Sequence, residues 1–304
     1  MSININTLLN SFNLFCVASG KSNNTTNAYL KDIKIFFAYV NKNYSITKLN
    51  QLSCKHIIEF KEHCVLSYKT STIRRRINSL SVFFKYLISK ELITHNLCDG
   101  QHVKKPKNDE VPVLTPDQLS LIFNSLDVND KNYVRNKLIL LIFLQTGIRR
   151  GELFNLNWEN IDLYESKVTI STPNKSSLRR EFYINKITCD LLTKMYNLQG
   201  KPLANMPVFI SNRNNRLSRS RINTIFNKII IDSGIKTDFP ITPHVLRHTF
   251  ATLLYNNPEF EHDINTLRIL MGHSNISTTI DYYVNSTISN SKLNLINSTF
   301  DFVS

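Results

Sequence analysis

His244, Arg247 and His248 crowd into two helical turns of the stretch TPHVLRHTFAT (242–252), with no cysteine or carboxylate beside them to complete a metal site. Thr242 and Pro243 read as a helix N-cap and a first-turn proline, so His244 and Arg247 fall at i and i+3 on one face of the opening turn. Backbone amides at a helix start attract anions, and a guanidinium adds a planar fork that holds two phosphate oxygens at once. His244 can donate a hydrogen bond to the same group. Taken alone, the cluster serves equally well as surface charge.

Two other stretches repeat the ingredients. In TGIRRGELFNLNW, Arg149 stands two residues after Gly147, the glycine that ends the apolar run KLILLIFLQTG. In LMGHSNISTTIDYY, Gly272 ends a helical pattern, His273 follows it, and Tyr282 and Tyr283 come nine and ten positions later. Cations, imidazoles and a phenol without clustered carboxylates point to an anionic ligand, and neither a metal nor a cofactor is expected.

Charge supports that direction. The 304-residue chain carries a formal net charge of +14, which calls for a polyanionic partner, nucleic acid or a membrane surface. Residues 1–105 hold 15 Lys and Arg against 5 Asp and Glu, so the excess sits mainly in the N-terminal third. The 5 cysteines (Cys16, Cys54, Cys64, Cys98, Cys189) are scattered without a CxxC pair and read as reduced thiols. The first basic residue is Lys21, which fits no signal peptide, and LILLIFL (138–144) is too short to span a bilayer. A cytoplasmic protein is expected, nucleoid-associated when bound to DNA.

The elements that must position these groups are mostly helical, as the 7 glycines also suggest. TTNAYLKDIKIFFAYVNK places Tyr29, Ile33, Phe36, Phe37 and Val40 on one face, with Thr25 or Thr26 as cap. TSTIRRRINSLSVFFKYLISK does the same with Ile73, Ile77, Leu80, Phe84 and Leu87, and puts Arg74, Arg75 and Arg76 in its first turn. Arginines there oppose the helix dipole unless an anion joins them, so these three and Lys69 are candidate DNA contacts, with an ordinary solvated face as the alternative. Thr115, Pro116 and Gln118 form a capping box that starts a second domain after the polar stretch GQHVKKPKNDEVPV. KVTIS and REFYI alternate as a hairpin around TPNKSSLR, and the pattern after Lys186 reads as helical almost to the end. The expected fold is mainly α with a small antiparallel β-sheet: a helical domain over 1–100, a linker over 101–113, and a mixed α/β domain over 114–304 that closes with a tail, 284–304.

In chain order, TGIRRGEL, HVLRHTFAT and MGHSNISTTIDY resemble the catalytic boxes of the tyrosine recombinases, the phage-integrase and Xer family, whose pattern is TGLRxxEL, a hairpin lysine, HxLRHTxAT and LGHSxxxTTxxY. The resemblance spans the second domain and extends more loosely to the first, as the family's helical core-binding module. It implies that Arg149 and Arg247 grip a scissile phosphate, that His244 and His273 orient it and relay a proton, and that Tyr282 is the nucleophile, with Tyr283 as runner-up. Lys175 falls at the place of the hairpin lysine, although Asn174 and Ser176 replace the usual glycines; Lys167 competes for the role. His248 is expected to be a packed or supporting histidine, and Arg150 to face solvent or the DNA backbone. The implied reaction is cofactor-free DNA strand exchange through a 3′-phosphotyrosyl link and a Holliday junction, serving integration, excision or resolution. The implied partner is a double-stranded recombination site, and the implied assembly a homotetramer on two duplexes, alone or with a second recombinase. A type IB topoisomerase-like enzyme and a catalytically silent DNA-binding regulator are the alternatives. The apolar tail after Tyr282 is expected to dock on a neighbouring protomer, and the chain looks closer to Xer or compact transposon-borne resolvases than to integrases with arm-site domains.

Overall fold

The computed structural model describes residues 5–104, 112–171, 179–257, 260, 263–273 and 275–280. The chain divides into two compact units, Met1–Asp109 and Glu110–Ser304. Residues 105–111 of the expected linker lie outside the described residues, as do Lys175, Tyr282, Tyr283 and the tail.

The first unit contains α1 (Ile5–Ala18), α2 (Asn23–Tyr44), α3 (Cys54–Val65) and α4 (Thr70–Ser89). Their apolar faces meet in a core of Phe12, Phe36, Phe60, Phe83 and Phe84, each essentially excluded from solvent. Edge-on ring pairs knit it: Phe12 with Phe83 at 5.2 Å and Phe36 with Phe60 at 5.2 Å between centroids. The faces anticipated for α2 and α4 are the buried ones, but the cap of α2 is Ser22, whose Oγ accepts from the Thr25 amide at 3.2 Å. Ser22 stands three residues ahead of that amide, the spacing that a capping oxygen needs.

The arginine triplet is corrected in two respects. Because α4 begins at Thr70, Arg74–Arg76 lie in its second turn, beyond the unpaired amides, and the dipole conflict does not arise. The anion that Arg75 and Arg76 face is internal. Asp32 of α2 is fully buried and accepts from Arg75 Nη1 and from Ser79 Oγ (2.7 Å). Arg76 is not a surface contact: it is 5% exposed, lies 3.8 Å over the Tyr68 ring and donates to Cys64 Sγ at 3.6 Å. Lys69 at the N-cap of α4 and Arg75 are exposed and Arg74 is half-buried, so these three keep access to solvent.

The second unit is built round α6 (Tyr133–Thr146), which packs against α8 (Lys186–Leu198) and α10 (Pro243–Tyr255). All of Leu138–Leu144 is buried, as befits a helix apolar on every side. Ahead of it α5 (Pro116–Asn124) begins on the expected Thr115–Gln118 capping box. After it come α7 (Arg150–Asn155) and a three-stranded antiparallel sheet of β1 (Ile161–Asp162), β2 (Lys167–Ile170) and β3 (Arg180–Tyr183), in that order. The hairpin strands are the two expected; β1 is an addition whose two residues are too few to alternate visibly. Register pairs Ile170 with Arg180 and Val168 with Phe182, putting all four on the core side. Residues between α8 and α9 (Arg219–Asp232) are not helical as expected, but form an irregular segment with bridges at Asn157–Pro207 and Ile210–Arg216. Gly200, Pro202 and Pro207 explain the break. α11 (Ile264–Met271) and the short α12 (Ile276–Thr279) follow α10.

The Asp32 node predicts an asymmetric pair of variants. Asp32→Ala leaves the buried Arg76 without its anion and should cost about 3 kcal/mol or more, the scale for breaking a buried ion pair. Arg75→Ala, at a side chain 46% exposed, should cost well under half of that in the same denaturant titration.

Candidate active site

Two helix ends and two helix starts converge on one place. α6 stops at Gly147, a left-handed C-cap with φ 56°, and α11 stops at Gly272, another with φ 58°. L side chains resist that conformation, so glycine fits both turns. Three residues after Thr146, Arg149 caps α7. Its amide donates to Glu152 Oε2 at 2.8 Å, and the Glu152 amide donates to the Arg149 carbonyl at 2.9 Å. His244 comes from the first turn of α10 and Arg247 from the start of its second, and Thr242 occupies the cap position without a side-chain cap bond while Pro243 opens the helix.

A helix C-terminus exposes carbonyls that carry partial negative charge. At the end of α11 three consecutive carbonyls are each taken by a different arginine. Leu270 O accepts from Arg180 Nη1 at 2.9 Å, Met271 O from Arg247 Nη2, and Gly272 O from Arg149 Nη2 at 2.6 Å. Arg247 also donates through Nη1 to Gly147 O, so it ties the ends of α6 and α11 together. Glu152 Oε1 receives both Arg180 Nη2 at 2.6 Å and Arg149 Nη1 at 3.1 Å. Burial alone would push the Glu152 carboxyl up, but the bond and charge of Arg180, reinforced by Arg149, bring it below the usual carboxylate range. Among the described residues, three guanidiniums against one carboxylate make the cluster cationic.

That charge borders an open cavity of about 350 Å³ lined by Ile148, Arg149, Arg150, Thr242, Pro243, His244 and Arg247. Arg247 is 2% exposed, whereas the Arg149 side chain keeps 38% exposure and Arg150 is exposed. His273 follows Gly272 directly: its Nε2 is 3.4 Å from Arg247 Nη2 and its Nδ1 is 3.0 Å from Thr279 Oγ1. Facing a guanidinium donor, Nε2 serves as the acceptor, which leaves the ring proton on Nδ1 for Thr279. His248 is buried, with its ring 4.2 Å from that of His244.

The imidazoles do not keep their ordinary value near 6.5. Burial and then the Arg247 and Arg149 charges lower His273 to about 4, and the same causes lower His244. Burial, with His244 and Arg247 next, lowers His248 to about 3. At neutral pH all three are therefore uncharged in the unliganded protein. Burial is the larger cause and the positive field the second, and sequence spacing reveals neither.

Of the residues singled out in the sequence, Arg149, Arg150, His244 and Arg247 line this cavity and His273 adjoins Arg247; Lys175 and Tyr282 lie outside the described residues. Lys167 stays on β2, its Nζ 3.5 Å from Glu181. Glu152 and Arg180 were not anticipated. A signal existed for each: Glu152 stands three residues after Arg149, and Arg180 shares the period-two face of Phe182 and Ile184, where a charge is out of place.

The Phage integrase family model matches residues 112–289, and the model for the phage integrase N-terminal SAM-like domain matches residues 11–91. The chain belongs to the phage integrase family. It is 29% identical over 286 residues to tyrosine recombinase XerD of Listeria monocytogenes, covering 91% of this chain and 94% of that protein. It is 28% identical over 276 residues to tyrosine recombinase XerC of Syntrophus aciditrophicus, covering 86% and 87%. Its fold matches that of lambda integrase, solved as a tetramer bound to a Holliday junction, with a TM-score of 0.72 at 19% identity over 91% of this chain and 79% of that one. This integrase-family chain is a site-specific tyrosine recombinase, and the topoisomerase-like and silent-regulator readings are not favoured. Among the described residues no helix is long and apolar enough to cross a membrane.

Two outcomes follow from the site. Gly272→Ala forces a side chain into the left-handed turn, at about 1–2 kcal/mol, and its Cβ would stand 3.0 Å from Arg149 Nη1 and 3.2 Å from Arg180. Thermal unfolding should show the destabilisation, and inorganic phosphate should raise Tm in the wild type and raise it less in the variant. The lowered histidines also set a pH dependence. The unfolded chain takes up protons near pH 6.5 while folded His273 and His248 resist until about 4 and about 3. Stability is complete above pH 6.5 and falls as the pH drops toward 4, so Tm should decrease over that window, less steeply in His248→Gln.

Proposed function

We propose that this recombinase cuts and rejoins DNA by transesterification. The Tyr282 oxygen attacks a backbone phosphorus, the bond from phosphorus to the 5′ oxygen breaks, and a 3′-phosphotyrosyl link and a 5′ hydroxyl result. The phenolic proton leaves, the departing oxygen gains one, and a 5′ hydroxyl from another strand reverses the step. The observation that carries this reading is the convergence of Arg149, His244 and Arg247 on one cavity with His273 beside Arg247.

In this reading Arg149 and Arg247 offset the charge on the non-bridging oxygens, and preorganised donors do so without reorganising in the transition state. His244 and His273, neutral in the free protein, orient the phosphate and accept the phenolic proton. Lys175 protonates the leaving 5′ oxygen. The helical module, residues 1–100, clamps the duplex with Lys69, Arg74 and Arg75, and Arg150 touches the backbone beside the catalytic cavity. The domain 114–304 carries the chemistry. A double-stranded recombination site is the substrate, in the cytoplasm, and strand exchange passes through a Holliday junction within a tetramer on two duplexes. Relatives named XerD and XerC, and a neighbour captured on such a junction, support that assembly. The tail 284–304 docks on the adjacent protomer.

The test is a nicked suicide duplex bearing the site that the full chain selects from genomic fragments. Wild type should become covalently joined to the strand, with the linked peptide containing Tyr282, and Tyr282→Phe should give no adduct. Arg247→Ala should slow adduct formation by about 10²–10³-fold, as loss of one such donor does elsewhere. Adduct formation that survives Tyr282→Phe refutes the reading.

A further inference from the structure

Arg180 lies in none of the three boxes that carry the resemblance, yet it is the first residue of β3 and its side chain is fully buried. Burying a guanidinium is costly unless it is paired and hydrogen-bonded. Here Nη2 donates to Glu152 Oε1 at 2.6 Å and Nη1 to Leu270 O at 2.9 Å, across 28 and 90 residues of chain. It faces the core beside Phe182, where an aliphatic side chain would pack at no electrostatic cost. Its partners lead to the cavity: Glu152 holds the Arg149 side chain and amide, and the Leu270 carbonyl belongs to the turn that sets His273.

We infer that Arg180 is a positioning residue for the phosphate site, acting through the shared Glu152 carboxylate and the α11 turn on Arg149. This rests on Arg149 gripping the scissile phosphate, as proposed above. The physical argument has two parts. With Arg180 present, one carboxylate is divided between two guanidiniums, so Arg149 keeps positive charge to offer to a ligand. Without it, the Glu152 carboxylate turns more fully to Arg149 and offsets its charge, while the α11 turn loses one of its three anchors. Gly272 belongs to the same device, since a Cβ there would stand 3.2 Å from the Arg180 guanidinium.

The test compares suicide cleavage of two substrates, one with the natural phosphodiester and one with a charge-neutral methylphosphonate at the scissile position. Replacing a charged oxygen by methyl removes the anion that Arg149 must offset, so any variant whose defect lies in presenting that cation is relieved. Arg149→Ala is the reference and should lose much of its deficit on the neutral substrate. Arg180→Gln should slow cleavage of the natural substrate by about 10²-fold, the effect of misplacing a catalytic group, and should shift the ratio of the two rates in the same direction as Arg149→Ala. That ratio, taken within one preparation, does not depend on the folded fraction. Arg180→Lys, which keeps a cation opposite Glu152 but not the fork, is the second variant if Gln does not fold, and the shift should keep its sign. Equal deficits on both substrates, or none on the natural one, overturn the role of Arg180. A wild type without adduct, or an Arg149→Ala that is not relieved, overturns the reading of the site and this inference with it.

Discussion

The end of α11 holds the site together: three successive carbonyls, each bound by an arginine from a different element. Arg149 comes from the start of α7, Arg180 from β3 and Arg247 from the start of α10. A helix C-terminus is one of the few neutral structures that can gather several guanidiniums, because its unpaired carbonyls supply acceptors and a negative field together. Gly272 makes the gathering possible, since any larger residue would intrude on two of the three. The remaining groups depend on that arrangement. His273 is the next residue along the chain, and Gly147 repeats the device at the end of α6 by accepting from Arg247.

Concentrating cations has consequences beyond the arginines. Burial and, after it, their field keep His244, His248 and His273 neutral at ordinary pH, so imidazole nitrogens able to accept a proton stand beside the guanidinium donors. Among the described residues the cluster has more guanidiniums than carboxylates, which favours an anionic ligand. Binding and stability are thus linked, because a ligand that prefers the folded state stabilises it by mass action. The same logic reads differently in the first unit. There Arg75 and Arg76 of α4 meet the buried Asp32, which joins α4 to α2.

Much of this was legible in the sequence because it depends on local spacing. Gly147 and Gly272 announced two left-handed caps, Thr115 and Gln118 a helix start, and the uninterrupted run Leu138–Leu144 a central helix. Boxes far apart in the chain met as expected, since each carries its own helix end. What escaped was long-range pairing. The burial of Arg76 depends on Asp32 and Tyr68, and the contact of Arg180 with Glu152 depends on how the sheet lies against α7 and α11; no window of sequence contains both partners. The extra strand and the irregular stretch between α8 and α9 escaped for another reason: β1 is too short to show alternation, and isolated Gly and Pro residues outweighed the weak helical pattern around them. The shifted imidazoles likewise follow from burial and then from the three-dimensional field.

The most direct measurement is a crystal structure of the full chain on a nicked duplex carrying its selected site. The account predicts the scissile phosphate in the cavity between the starts of α7 and α10, with non-bridging oxygens on Arg149 and Arg247, His244 within hydrogen-bond distance and the Leu270–Gly272 carbonyls still held by their three arginines. A phosphate seated elsewhere, or reached only after those carbonyl contacts are given up, would contradict it.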